Sequence, residues 1–370
     1  MARSADTENS PEPLAERLRA RIRREGPISF RDWMEAALYD PIDGYYFRAD
    51  RIRQGRAGDY RTAPESSPLF AATFGRYFAK LFSELGSPSS WTIFEVGAGT
   101  GEFAHGVLSS LRSRHRDVFA ATTYVIDEIS RNTRARASER LFTFDEQVRF
   151  RPLTEVEKPA HTGIVFSNEL IDAFPVHRVT LRDGKLRELY VDLDEDDFVW
   201  VECHLDPDVA DYCQHTELQL VEGQIIELNL DAEVFLSRAA SSLESGFVIT
   251  VDYGAERNEL LSVERRRQGT LRAFRHHQLS GDVLSRPGEQ DLTTTIDWTQ
   301  MREAGKRLGL QTIRHEPLDQ FLLSEGLLEE LEFLARTLSQ ADSARLRTTA
   351  REMILPQGLA ASFQVLIQKK

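Results

Sequence analysis

In Thr92-Ile93-Phe94-Glu95-Val96-Gly97-Ala98-Gly99-Thr100-Gly101-Glu102, a short apolar run ends in an acid and is followed by glycines at alternate positions. The run predicts a buried parallel strand, and the apolar stretch Phe103 to Leu111 predicts a helix. The glycines therefore sit at a strand-to-helix crossover. Glycine accepts a positive φ and lets another group approach the backbone closely, while the free N–H groups of a helix start attract anions such as a carboxylate. The plain alternative is a glycine turn with a structural role only.

Two residues separate this turn from a dinucleotide fingerprint. That pattern, G-x-G-x-x-G/A, needs a small residue where Glu102 stands, so that helix and strand pack closely and a pyrophosphate fits. Glu95 lies at the carboxyl end of the strand, the edge where open α/β sheets bind ligands. A negative group there repels a pyrophosphate and suits an ammonium. S-adenosylmethionine offers that ammonium, a carboxylate for the backbone amides, a ribose and an adenine. The pattern E-x-G-x-G-x-G is the glycine loop typical of class I methyltransferases, with Glu95, Gly97, Gly99 and Gly101 as cofactor-binding residues.

The 370 residues allow one large or two ordinary domains, and 41% hydrophobic with 28% charged residues describes a globular chain. A formal net charge of -13 argues against a generic nucleic-acid or anionic-membrane binder. Cys203 and Cys213 lie in no zinc-like spacing, and so few cysteines suit a reducing compartment. No run reaches the ~18 apolar residues of a membrane span. The first residues carry Asp6, Glu8 and Glu12 and no apolar signal core, so a cytoplasmic location is expected.

Residues 1–13 read as a disordered leader, 14–90 as an N-terminal helical cap with an active-site loop, and 91–370 as the catalytic domain. Helical spacing covers Leu14 to Arg24, and Ser29 can cap a second helix through Trp33, Met34, Ala37 and Leu38. Gly58-Asp59-Tyr60-Arg61-Thr62-Ala63-Pro64 belongs to a long loop whose aromatics and carboxylates suggest a function. Leu69 to Leu85 is helical again.

Thr123 to Glu128 predicts a second strand ending in acids, one of which would hold the ribose hydroxyls. Glu128 is preferred and Asp127 is the reserve, although either can cap the following helix. Gln147 to Phe150 and Gly163 to Ser167 predict a third and a fourth strand. The fourth runs into Asn168-Glu169-Leu170-Ile171-Asp172-Ala173-Phe174-Pro175. If Glu169 begins a helical turn, Asp172 falls on the same side three residues later and the two carboxylates converge. The alternative is that they cap a short helix before Pro175.

Alternation with turns at Asp183-Gly184 and Asp194 to Asp197 marks inserted hairpins, giving insertions at about 176–228 and 255–297. Asp231 to Leu243 predicts a helix and Gly246 to Val251 a buried strand ending in Asp252-Tyr253-Gly254. Ala255 to Asp291 reads as irregular. A helix at Trp298 to Leu308, a strand at Gln311 to His315, helices from Phe321 through Met353 and a strand at Ser362 to Ile367 follow. His276-His277 lacks a third ligand at metal-site spacing, so no metal is expected.

An ordered set of stretches from residue 30 to 325 resembles the MidA-type methyltransferases. The set comprises Gly44-Tyr45-Tyr46, Gly58-Asp59-Tyr60, Thr62-Ala63-Pro64-Glu65, the Glu95 to Gly101 loop, Glu128 with Ser130, Asn168-Glu169 with Asp172-Ala173, Asp252-Tyr253-Gly254, Asp291-Leu292-Thr293 and Gln320-Phe321-Leu322. That family includes the mitochondrial assembly factor of respiratory complex I that methylates an arginine on a complex I subunit. The resemblance implies an α/β Rossmann-like class I fold with a mostly parallel seven-stranded sheet, an N-terminal helical cap and inserted β-hairpins. It adds Asp59 and Thr62 to the cofactor contacts.

The same resemblance implies a protein-arginine methyltransferase using S-adenosylmethionine, with a protein substrate such as a respiratory complex subunit. Glu169 and Asp172 would grip the guanidinium and Asn168 orient a ligand. A small-molecule acceptor, or an assembly chaperone that binds the cofactor without turnover, are the alternatives. Ile129 departs from the proline usual before Ser130, and Phe274 with His276-His277 replaces a tyrosine and a single histidine. Without a transit-like leader, the mitochondrial substrate is not expected to carry over.

Overall fold

The decisive run forms β1 (Trp91–Val96), an inner strand of a seven-stranded sheet in a computed structural model describing residues 12–48, 68–156, 159, 161–275, 278–336, 338–355 and 359–370. The other strands are β2 (Thr122–Asp127), β3 (Val148–Phe150), β4 (His161–Asn168), β5 (Leu243–Ala255), β6 (Gln311–Pro317) and β7 (Phe363–Lys369). Their order is β3-β2-β1-β4-β5-β7-β6. The first four pairings are parallel, whereas β7 runs antiparallel to both β5 and β6. The two-residue strand Ile296–Asp297 adds a parallel pairing at the end of β5.

The inner parallel strands β1 and β4 bury apolar residues on both faces, as helices on both sides of a sheet require. Ile93 belongs to the cluster under helices Pro68–Glu84 and Glu102–Arg114, while Phe94 belongs to the cluster under Leu230–Ser242 and Trp298–Arg307. Alternate residues of β1 thus serve opposite layers. Pro68–Glu84 buries Phe70, Phe74 and Phe78 completely, and each such side chain contributes about 1.5–3 kcal/mol of transfer free energy. Phe103 stacks on Phe166 at 4.4 Å, fastening the helix after the glycine turn to β4.

The chain divides into two compact units, and this sheet with its helices is one of them; its described residues fall within 68–174, 229–260 and 294–370. The segment expected as one cap, 14–90, is shared between units: 14–48 lies in the other, and Pro68–Glu84 in the sheet unit. The loop carrying Asp59 and Thr62, the leader to residue 11, and His276-His277 lie outside the described residues.

The other unit draws on 12–48, 175–228 and 261–293. Strands His177–Arg182, Lys185–Asp194 and Asp197–Cys203 form the two expected hairpins. Asp183 and Gly184 both hold positive φ, the pairing that a two-residue hairpin turn requires. Ser29 caps Phe30–Tyr39 by accepting the Asp32 N–H at 3.1 Å. Arg178 ties the unit's pieces together: it pairs with Glu227 at 3.1 Å, donates to the Gln268 carbonyl and lies over Trp200. The stretch expected to be irregular instead holds a small antiparallel sheet, Gln278–Ser280, Arg272–Arg275 and Asp291–Thr293. Strands of three or four residues show no readable alternation, which is why sequence periodicity missed it.

Candidate active site

The parallel strands β1, β2, β4 and β5 end on one edge of the sheet, with the reversal of strand order between β1 and β4. This is where open α/β sheets form a ligand crevice. Gly97, Gly99 and Gly101 all hold positive φ there. A Cβ on Gly97 would stand 2.8 Å from Leu170 Cδ1, and one on Gly101 would crowd Ala137 and Leu141. The turn is therefore compressed between the segment after β4 and helix Arg131–Arg140.

Glu102, where a dinucleotide turn needs a small residue, opens the helix and pairs with Arg140 at 3.0 Å. Arg140 also donates to the Thr100 carbonyl, so one guanidinium braces the turn where it enters the helix. Sequence reasoning assigned Arg140 nothing; forty positions separate it from Thr100, and no local pattern signals the contact.

Glu128 reaches the turn directly. Its Oε2 accepts the Gly99 N–H at 3.0 Å and its Oε1 accepts the Ser130 N–H at 2.8 Å. A carboxylate keeps further lone pairs after two such bonds, so it can still receive ribose hydroxyls. Asp127 is occupied elsewhere: its Oδ2 accepts the Leu153 N–H at 2.8 Å, and burial raises its pKa. Glu95 is almost fully buried and accepts the Tyr124 O–H at 2.7 Å. Removal from water pushes its carboxyl up to about 8; the Tyr124 hydrogen bond opposes the shift and the Glu128 charge adds to it.

The segment after β4 departs from the expected geometry. Glu169 holds φ 47° and does not begin a helical turn; the single turn starts at Ile171. Helical spacing therefore does not place Glu169 and Asp172 on one side. The reason lies on β5: Asp252, fully buried, accepts the N–H groups of Leu170 at 3.3 Å, Ile171 at 3.0 Å and Asp172 at 3.4 Å on one oxygen. Burial raises the Asp252 pKa, and these N–H groups with that of Tyr253 oppose the rise.

Asn229 donates to the Ile171 carbonyl and Thr294 to the Asp172 carbonyl, completing the clamp. Asn168 donates to Glu169 Oε1 at 3.3 Å, while its own buried Oδ1 and the Ser167 hydroxyl have no hydrogen-bond partner among the described residues. Asp252 was visible in sequence only as the acid ending a buried strand; its role depends on partners about eighty positions away.

Glu95, Glu128, Glu169, Asp172 and Asp252 thus gather acid around a turn whose Gly97, Gly99 and Gly101 N–H groups donate to the Asp127 carbonyl, Glu128 Oε2 and the Ala98 carbonyl. The acids fit a ligand with an ammonium and a ribose, and the Gly97 cradle has no room for a side chain. Among the described residues no three His, Cys, Asp or Glu gather as a metal site, and no helix is long and apolar enough to cross a membrane.

Comparison with known proteins agrees with this chemistry. Residues 73–315 match the family model described as "Putative S-adenosyl-L-methionine-dependent methyltransferase". The mitochondrial protein arginine methyltransferase NDUFAF7 homolog of Drosophila melanogaster is 26% identical across 97% of this chain and 88% of its own. The Danio rerio protein arginine methyltransferase NDUFAF7 is 27% identical across 98% and 88%. A Burkholderia thailandensis protein described as a "likely methyl transferase", crystallised bound to S-adenosyl-homocysteine, superposes with a TM-score of 0.84 at 28% identity over 98% of this chain and 95% of that one. With the class I sheet order, the glycine turn and a family match over more than half its length, the chain belongs to the S-adenosyl-L-methionine-dependent methyltransferases of that family.

Proposed function

We propose that this methyltransferase modifies an arginine guanidinium on a protein partner. The observation that carries the reading is the likeness, along nearly the whole chain, to relatives described as protein arginine methyltransferases. The cofactor supplies a methyl group activated by a sulfonium. In this reading the side-chain-free backbone of Gly97, Gly99 and Gly101 gives the cofactor its close approach, Glu95 takes its ammonium and Glu128 its ribose hydroxyls, with Asp59 and Thr62 as further contacts.

Methyl transfer is an in-line displacement, so the protein's task is alignment at near-attack distance. A guanidinium remains protonated and its electrons are delocalised, so carboxylates must hold one side and leave another nitrogen free to react. Glu169 and Asp172 take that task, and Asn168 orients the ligand. Support comes from Glu169's left-handed backbone, a conformation that proteins keep where the surroundings enforce it and that clusters at active sites. A respiratory complex subunit as the partner is the finer form of the proposal, supported by the motif resemblance. A reducing, cytoplasmic setting is supported by the free thiols Cys203 and Cys213.

The test uses labelled S-adenosylmethionine with lysate from a host lacking the gene, read by mass spectrometry. Wild type should yield methylarginine in a protein, and Asp172→Asn should lose the product while binding S-adenosylhomocysteine unchanged. Equal labelling by the variant removes Asp172 from the reaction. Label recovered solely on another residue type or on small molecules contradicts the arginine acceptor.

A further inference from the structure

Glu95 is a carboxyl group withdrawn from water at the edge of the proposed cofactor site, and among the described residues no cation acts on it. Among the described residues its one hydrogen bond comes from the neutral Tyr124 O–H, itself fully buried on β2. The ionisable groups acting on it among the described residues are Tyr124 and, just beyond β2, the Glu128 carboxylate, which disfavours a second negative charge. An isolated buried carboxylate is costly, and such groups keep their proton until a cation arrives.

We propose that cofactor binding is proton-coupled at this pair: Glu95 is a neutral acid in the free protein and ionises as the ligand's ammonium docks by the glycine turn, with Tyr124 as a positioning residue. The carboxyl O–H bond breaks, the proton leaves to the buffer, and the carboxylate remains as counter-ion to the ammonium. Tyr124 holds Oε2 at 2.7 Å, fixing the carboxyl's direction and stabilising the anion that forms. The burial-driven rise of the Glu95 pKa to about 8 sets where the coupling shows: below that pH, binding includes a deprotonation. The inference rests on the cofactor and needs no knowledge of the methyl acceptor, so it stands or fails apart from the arginine reading.

The experiment is titration calorimetry of the intact chain with S-adenosylhomocysteine, at pH 7 in buffers of different ionisation enthalpy and then across pH 6–9. Wild type should release close to one proton at pH 7, and affinity should strengthen about tenfold per pH unit before levelling near pH 8. Glu95→Gln should bind with no such release and a flat profile. Tyr124→Phe should carry the levelling point to higher pH, so that its affinity loss shrinks as pH rises; a merely structural defect would weaken binding equally at every pH. Buffer-independent enthalpy with pH-independent affinity in the wild type overturns the proposal, whatever the variants do. An undiminished release in Glu95→Gln also overturns it, because the proton then comes from another group.

Discussion

Asp252 at the end of β5 holds Ile171 beyond β4 through a 3.0 Å hydrogen bond from the Ile171 N–H to its Oδ2, and the same oxygen receives the N–H groups on either side. One buried carboxylate thus sets the backbone of the segment that carries Glu169 and Asp172. Removing it strands several buried donors, each at about 1–3 kcal/mol.

Asp252→Ala should therefore destabilise the protein by about 3 kcal/mol in denaturant unfolding. Hydrogen exchange should accelerate first at the amides of 170–172, under conditions where the β1 and β4 amides stay protected. Uniform acceleration across the sheet would mean that Asp252 supports the core generally and not this segment.

Gly97→Ala should weaken S-adenosylhomocysteine binding about tenfold. The left-handed backbone costs an alanine of order 1–3 kcal/mol, and the new methyl meets Leu170 Cδ1 at 2.8 Å. Adding Leu170→Ala relieves the contact and not the backbone cost, so calorimetry on the double variant should recover only part of the affinity. Full recovery would show that crowding alone requires the glycine.

The stability of the ligand-free protein should fall as pH rises through the neutral range. Glu95 keeps its proton up to about pH 8 in the folded state and loses it in the ordinary carboxylate range when unfolded, so over that interval the folded state binds more protons. The slope of unfolding free energy against pH is then negative between about pH 4.5 and 8, amounting to a few kcal/mol for this group. Glu95→Gln should flatten the slope and gain most on wild type at pH 8. Asp252, raised in the same direction, leaves a residual decline. A wild-type profile that rises from pH 5 to 8 would contradict the neutral Glu95.

What could be read from sequence followed from range. The strand, glycine turn and helix from Trp91 to Arg114 are encoded by adjacent residues, and so are the hairpin at Asp183-Gly184 and the cap at Ser29. The family resemblance supplied the mostly parallel seven-stranded sheet that local patterns could not. What escaped depends on residues far apart in the chain: Tyr124 on Glu95 across 29 positions, Arg140 on Thr100 across 40, and Asp252 on Ile171 across 81. Glu169 shows the consequence. Its spacing to Asp172 suited a helix, but a distant carboxylate that engages the N–H groups of 170–172 sets the local backbone instead.

The most direct test of the account is a crystal structure of this chain with S-adenosylhomocysteine. The ligand should lie across Gly97–Gly101, its amino acid end near Glu95 and its ribose hydroxyls on Glu128, with the thioether sulfur facing the Asn168–Asp172 segment. Well-ordered ligand on another face of the sheet, or a ribose held by Asp127 with Glu128 turned away, would contradict it.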